Sequence, residues 1–355
     1  MLTGQNFRIR KAPLLGLVGG ILLLIGSAMG VQAASQEVYE PEIPLGLDEE
    51  GFHVPKDNPL TKSKIELGRL LFFDKRMSAD NSISCSTCHI PALAFTDGQP
   101  VSTGIGHKQG GRSAPTSINR GFSKIQFWDG RAPTLEAQSV GPLTNPIEHG
   151  FSDNDAVVAR ISKIEGYKKL FKNAFGTSAI SIGQVGKAIA SFQRTLISGN
   201  SPFDRFDYDG EEKAISESAK RGKKLFFDKA RCNLCHFGTN FSDEKFHNIG
   251  IGWGGEHLDV GRYNVTKDKK DIGAFKTPTL REISMTAPYM HDGRFATLEE
   301  VVEHYNSGGV KNPFLDNQII PLELTESEKR DLVEMLRTLN GEGWQHVKEP
   351  TSFPK

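Results

Sequence analysis

The sequence predicts a mainly α protein of two related halves whose helices are joined by long loops. Three observations predict it. The stretch Gly68-Arg69-Leu70-Leu71-Phe72-Phe73-Asp74-Lys75 recurs as Gly222-Lys223-Lys224-Leu225-Phe226-Phe227-Asp228-Lys229, an internal duplication. Each copy precedes a Cys-x-x-Cys-His motif, Cys85-Ser86-Thr87-Cys88-His89 and Cys232-Asn233-Leu234-Cys235-His236. Apolar residues recur at helical spacing behind capping residues, whereas strand-like alternation is sparse and Gly and Pro crowd the intervals.

The chain begins with Arg8, Arg10 and Lys11, then an apolar stretch from Leu14 to Met29, then Val31-Gln32-Ala33. That is the layout of a signal peptide over residues 1–33, cleaved before Ala34. An uncleaved anchor is the alternative, since a membrane span takes about 20 apolar residues; either way the body is exported. At ~100–200 residues per domain, the rest of the chain makes two domains, residues 34–200 and residues 201–355. In each, the Leu-Phe-Phe run closes a helix that leads into the Cys-x-x-Cys-His loop, so its aromatics are expected to wall whatever that loop holds. Ser181 caps the stripe Ile182, Val185, Ile189, Phe192 and Leu196 in the segment connecting the halves. Thr297 with Glu300, and Thr325 with Glu328, have capping-box spacing ahead of apolar runs, and Gly308 and Gly341 supply stops. Residues 251–270, rich in Gly and charge, read as a flexible excursion without legible chemistry.

Exported proteins commonly spend cysteines on disulfides. Here all four sit in the two motifs, each pair followed at once by histidine. Two thiols three positions apart can each form a thioether to one porphyrin vinyl group, which forces the adjacent histidine under the ring as the iron's proximal ligand. A redox dithiol explains neither histidine, and a shared zinc site needs no His directly after each second Cys. The expectation is two covalently bound c-type haems, attached at Cys85 and Cys88 and at Cys232 and Cys235, with His89 and His236 on iron. The fold expected is therefore two cytochrome c-like domains. Charge is balanced, 43 basic against 43 acidic residues, so no field of one sign argues for nucleic acid or an anionic membrane as main partner.

Carriers and enzymes share the attachment motif, so function rests on the residues between the motifs. Phe127-Trp128-Asp129-Gly130-Arg131, Gln138, Gly141-Pro142-Leu143-Thr144-Asn145-Pro146-Ile147-Glu148 and Thr286-Ala287-Pro288-Tyr289-Met290-His291-Asp292-Gly293 follow in order. With the two motifs they make the chain resemble the bacterial di-haem cytochrome c peroxidase family, which includes MauG, over nearly all of its length after the leader. The resemblance implies that peroxide reacts at the N-terminal haem while the C-terminal haem stores and delivers electrons. It implies that Glu148 is the distal carboxylate that shuttles a proton, with Gln138 its polar neighbour, and that Trp128 lies between the haems.

The sixth position of each iron separates peroxidase from carrier. At the first haem the resemblance offers His107, in the glycine-rich loop from Gly104 to Gly111; the alternative is a solvated loop histidine beside an open haem. At the second, family peroxidases supply methionine where this chain places Tyr305, as MauG-like members do, with Met285, Met290 and His304 as rivals. Tyrosinate is a hard anionic donor that stabilises oxidised iron, so Tyr305 suits storage of oxidising equivalents. His149, where methionine is usual, is expected to add a titrating group near the peroxide pocket. The family's interdomain calcium would fall to Ser113 and to carbonyls at Thr286 and Pro288, and a serine hydroxyl is a weak ligand for a hard cation, which argues against calcium.

Three functions follow. The first is a periplasmic peroxidase that reduces hydrogen peroxide with electrons from a small cytochrome c or copper protein. The second is a MauG-like enzyme that oxidises side chains of a partner protein. The third is a plain di-haem electron carrier, which has no use for Glu148 and Gln138. The resemblance also suggests a homodimer.

Overall fold

In the computed structural model residues 37–355 are described, and the expected signal peptide lies outside them. The chain supplies α1 (Lys62–Phe73), α2 (Cys85–Cys88), α3 (Leu135–Val140), α4 (Asn154–Ser162), α5 (Glu165–Phe175) and α6 (Ile182–Gln193), then α7 (Pro202–Tyr208), α8 (Glu217–Phe227), α9 (Tyr263–Thr266), α10 (Leu298–Asn306) and α11 (Glu326–Arg337). Among the described residues strand is confined to β1 (Phe246–His247) and β2 (Phe275–Lys276), paired antiparallel with Phe246 opposite Lys276. The fold is mainly α, as expected. Among the described residues no helix is long and apolar enough to cross a membrane.

The duplicated octapeptide has a packing reason. α1 crosses α6 and α8 crosses α11, and each crossing is centred on the repeated glycine. A Cβ on Gly68 would lie 1.9 Å from the Ala188 carbonyl oxygen, and one on Gly222 would lie 1.9 Å from that of Asp331. Only glycine admits such an approach. The helices start where their caps stand: Ser181, Thr297 and Thr325 each cap α6, α10 and α11, with Gln184, Glu300 and Glu328 reaching back. Gly308 follows the end of α10 in a left-handed conformation, φ +80°. Gly341 differs from expectation: α11 ends at Arg337, and Gly341 instead lets the chain pass Gly199.

Two apolar clusters form. One gathers Leu67, Leu71, Phe72, Phe73, Phe171, Ile189 and Phe192 and also takes Trp344 and Val347 from the end of the chain. The other gathers Phe203, Phe226, Phe241, Val302, Leu332 and Leu336. Buried ion pairs add to the ordering: Arg281 meets Asp204 at 2.6 Å with both side chains fully buried, and Arg194, at the end of α6, meets Glu136 of α3 at 2.7 Å. The Leu-Phe-Phe aromatics are not equivalent. Phe72, Phe73 and Phe226 are buried, whereas Phe227 is 44 % exposed, because α8 ends there and the next turn carries it to the surface.

Candidate haem sites and the residues between them

α2 is a single turn, which puts Cys85 and Cys88 three residues apart on one helix surface. Ser84 N donates to Thr87 Oγ1 at 3.0 Å and closes the turn, and His89 follows at its end. His89 Nδ1 lies 2.9 Å from the carbonyl oxygen of Phe95. A carbonyl only accepts, so Nδ1 carries the proton and Nε2 keeps its lone pair for a metal. The second motif repeats the device: His236 Nδ1 donates to Phe241 O at 2.9 Å. Both acceptors, Phe95 and Phe241, are held at positive φ, 57° and 50°, strain that turns each carbonyl toward its imidazole. Burial depresses both histidines, His236 to about 4, so each is neutral and ready to ligate.

The cysteines fit haem attachment better than the rival chemistries. Burial pushes Cys85 and Cys232 up to about 12 and Cys88 to about 11, the reverse of a redox dithiol, which needs a depressed thiol. All four are unpaired. Among the described residues the one cluster of three metal-capable side chains within 4.8 Å is Cys235, Asp243 and His247, so the two motifs do not converge on a shared zinc. His247 is bracketed there by Asp316 at 2.6 Å and Asp243 at 3.0 Å.

Beside the second motif lies a cavity of about 240 Å³, lined by Cys232, Cys235, His236, Tyr305, Met290 and Trp128 among others. This is far more than a water needs, and its wall is mostly apolar, as a porphyrin face requires. Tyr305, on α10, reaches it; burial drives its hydroxyl well above the usual phenol range, and the nearby thiols of Cys235 and Cys232 add to this. Of its rivals, His304 gives Nε2 to Ile249 O at 2.9 Å and Met285 is 39 % exposed, whereas Met290 shares the cavity.

Trp128 is fixed twice. Its Nε1 donates to Ser113 O at 2.9 Å, and its carbonyl accepts from Lys276 N at 2.8 Å. Ser113 N in turn donates to His291 O at 2.7 Å, and Ser113, Thr286 and Pro288 line the cavity together. Arg112, which the sequence did not single out, bridges Asp129 at 2.7 Å and Asp259 at 2.6 Å. Arg262 donates to the carbonyls of Asp129 and Gly130, at 2.9 Å each. Residues 251–270 are therefore no free excursion: Asp259 and Arg262 grip the Trp128 segment.

Glu148 belongs to the first motif's surroundings, since its charge helps raise both Cys85 and Cys88. Its Oε1 accepts from Asn145 Nδ2 at 2.7 Å. Burial raises its pKa, against the pull of Arg131 and Asn145. Gln138, half-buried on α3, has Oε1 3.5 Å from Gln193 Nε2, at the limit of a bond. His107 sits at φ 59° in a loop whose Ile105 N donates to Glu148 O at 3.0 Å; its own side chain is exposed. His149 corrects the expectation of a second titrating group. It is 3 % exposed, bonded through Nδ1 to Met77 O at 2.8 Å, and pushed by burial down to about 4, so it stays neutral at physiological pH.

Two Cys-x-x-Cys-His sites with tautomer-fixed histidines, in one mainly helical chain, define a di-haem c-type cytochrome. Known proteins narrow the class. A family model described as di-haem cytochrome c peroxidase matches residues 62–213. The chain is 45 % identical over 289 residues to the methylamine utilization protein MauG of Methylorubrum extorquens, covering 81 % of each chain. It is 35 % identical over 323 residues to the cytochrome c551 peroxidase of Nitrosomonas europaea, covering 90 % of each. Among solved structures, a MauG-like protein associated with microbial copper homeostasis superposes with a TM-score of 0.78 at 34 % identity, over 88 % of this chain and 98 % of that one. The chain belongs to the di-haem cytochrome c peroxidase and MauG family, and it is a peroxidase-type oxidoreductase. Membership implies two c-type haems.

Proposed function

We propose that this protein is a periplasmic enzyme that reduces hydrogen peroxide at the N-terminal haem, held by residues 34–200, with electrons passed through the C-terminal haem, held by residues 201–355. Cys85 and Cys88 would hold the first haem with His89 as ligand, and Cys232 and Cys235 the second with His236. The bound haems supply peroxide binding and the two electrons that, with two protons, turn peroxide into two waters.

The observation that carries the reading is Glu148. It stands beside the first motif, with Oε1 engaged by Asn145 and its pKa raised by burial. Oε2 is left to take a proton from one peroxide oxygen and return it to the other. Gln138 would orient the same pocket, and His107, on the loop tethered to Glu148, would control access to it. Trp128, pinned between residues of both halves, would carry electrons between the sites. The electron donor on this reading is a small cytochrome c or copper protein that docks transiently.

A specific observation favours a second reading, that of a MauG-like oxidant of a partner protein's side chains: Tyr305 stands in the cavity of the second motif, where it would ligate that iron. Low-temperature electron paramagnetic resonance of the holoprotein and of Tyr305→Met distinguishes the two. A low-spin signal that Tyr305→Met alters supports the MauG-like enzyme; two low-spin haems insensitive to Tyr305 support the donor-fed peroxidase. For both, Glu148→Gln is expected to cut peroxide turnover by roughly 10²–10⁴-fold with both haems still attached. Unchanged turnover would remove Glu148 from the mechanism.

A further inference from the structure

Arg120 and Lys276 come from different halves of the chain and line the same cavity as Cys232, Cys235 and His236. Lys276 is 4 % exposed. Burial holds its ammonium down at about 8, and the positive charge of Arg120 pushes the same way. Burial lowers Arg120 too. Two desolvated cations that repel one another require anions nearby.

One carboxylate touches the pair, while Asp243 acts on Lys276 from farther off. Glu244 Oε1 lies 3.2 Å from Lys276 Nζ and also accepts from Ser123 Oγ at 2.9 Å. Arg120 meets only neutral acceptors: Gln126 Oε1, at 2.9 Å from Nε and 2.7 Å from Nη2, and Ile125 O at 3.3 Å. This sets the half-buried Arg120 apart from the buried arginines among the described residues. Arg194 and Arg281 each have a carboxylate, at 2.7 and 2.6 Å. Arg120 thus brings to a largely apolar cavity a positive charge with no carboxylate in contact, beside Lys276, which Glu244 touches. Thioether attachment consumes the vinyl groups of a haem and leaves its two propionates as its carboxylates.

We propose that Arg120 and Lys276 form a carboxylate site for a propionate of the haem attached at Cys232 and Cys235, so that a residue of the N-terminal half neutralises the C-terminal haem. The proposal rests on the reading that this motif carries a haem. Ferrous haem has one negative charge more than ferric, so these cations favour the reduced state, and they act through the propionate without touching the iron.

The test uses holoprotein grown with haem carrying ¹³C in its propionate carboxyls, read by redox-difference infrared spectroscopy and by spectroelectrochemical titration. Mass spectrometry of the parent protein first counts the attached haems; a missing second haem would overturn the underlying reading rather than this one. In Arg120→Gln a label-sensitive carboxylate band is expected to shift, and the reduction equilibrium of the C-terminal haem against a fixed mediator to fall on the order of tenfold. Arg120→Lys is expected to restore most of both. Lys276→Gln provides the same test from the other half should Arg120→Gln not fold. Label-sensitive bands that coincide with the parent's in the folded variants would overturn the proposal, because a merely structural cation leaves the propionate spectrum unmoved.

Discussion

Arg112→Gln is expected to destabilise the holoprotein and to slow electron transfer between the haems, and both effects follow from its contacts. Its Nε and Nη2 hold Asp259 at 2.6 and 3.0 Å while Nη1 holds Asp129 at 2.7 Å. Breaking a buried pair by removing one partner costs about 3–5 kcal/mol, because the other charge is left uncompensated. Here the loss is smaller. Asp129 keeps Arg131 at 3.0 Å, and the Asp259 side chain is 26 % exposed, so about 2–3 kcal/mol is expected once solvent screening is counted. Denaturant unfolding of the oxidised holoprotein measures it. Asp259→Asn alone should cost a similar amount, and the double variant should cost much less than the sum, since the two residues share one interaction. The kinetic effect comes from position: Arg112 precedes Ser113, whose carbonyl holds the Trp128 indole, and Asp129 directly follows Trp128. Flash reduction followed by the spectral shift between haems should show slower equilibration in Arg112→Gln and partial recovery in Arg112→Lys. Additive stability losses together with an unchanged inter-haem rate would refute the clamp.

Other consequences are as direct. Arg131 lowers the Glu148 pKa while burial raises it, so Arg131→Gln should raise it further. A base must start deprotonated, hence the acid limb of the kcat/KM profile is expected to move to higher pH, and an unmoved limb would separate Arg131 from Glu148. His149 is held at about 4 against an ordinary 6.5. The folded state therefore binds its proton less readily than the unfolded chain, and its contribution is whole above pH 6.5 and lost as pH falls toward 4. That amounts to about 3 kcal/mol; the difference in acid sensitivity between parent and His149→Gln, measured by unfolding at several pH values, should show it. Gly222→Ala places a Cβ 1.9 Å from the Asp331 carbonyl, so α8 and α11 must part, at about 1–3 kcal/mol. Calorimetry should show a clear fall in melting temperature, and an unchanged melt would mean that the crossing is looser than its geometry.

What the sequence made legible is local chemistry. Cys-x-x-Cys-His, the capping boxes at Ser181, Thr297 and Thr325, and the duplicated octapeptide are written within a few residues, and the backbone obeys them because each satisfies its own hydrogen bonds. Tyr305 and Trp128 were reached by order along the chain, and both line the cavity beside the second motif. The charges that complete the site were not reached, for a physical reason. Arg112 and Asp259 are 147 residues apart, and Arg120 and Lys276 lie in different halves, so no periodicity or spacing joins them. Their signal is a property of the folded environment: a cation becomes informative only when burial removes water from it and the partner count is known. The same holds for His149, whose sequence neighbourhood suggested a titrating group and whose burial made it a neutral donor to Met77. Residues 251–270 make the point most sharply. Their glycine and charge read as a mobile excursion, yet Asp259 and Arg262 hold the segment against the Trp128 stretch, because a loop rich in glycine and charge can still be ordered by ion pairs and carbonyl contacts to a neighbouring element. Electrostatic clamps of this kind tie the Trp128 segment to Asp259 and Arg262, far along the chain, and the slower inter-haem transfer expected of Arg112→Gln rests on them.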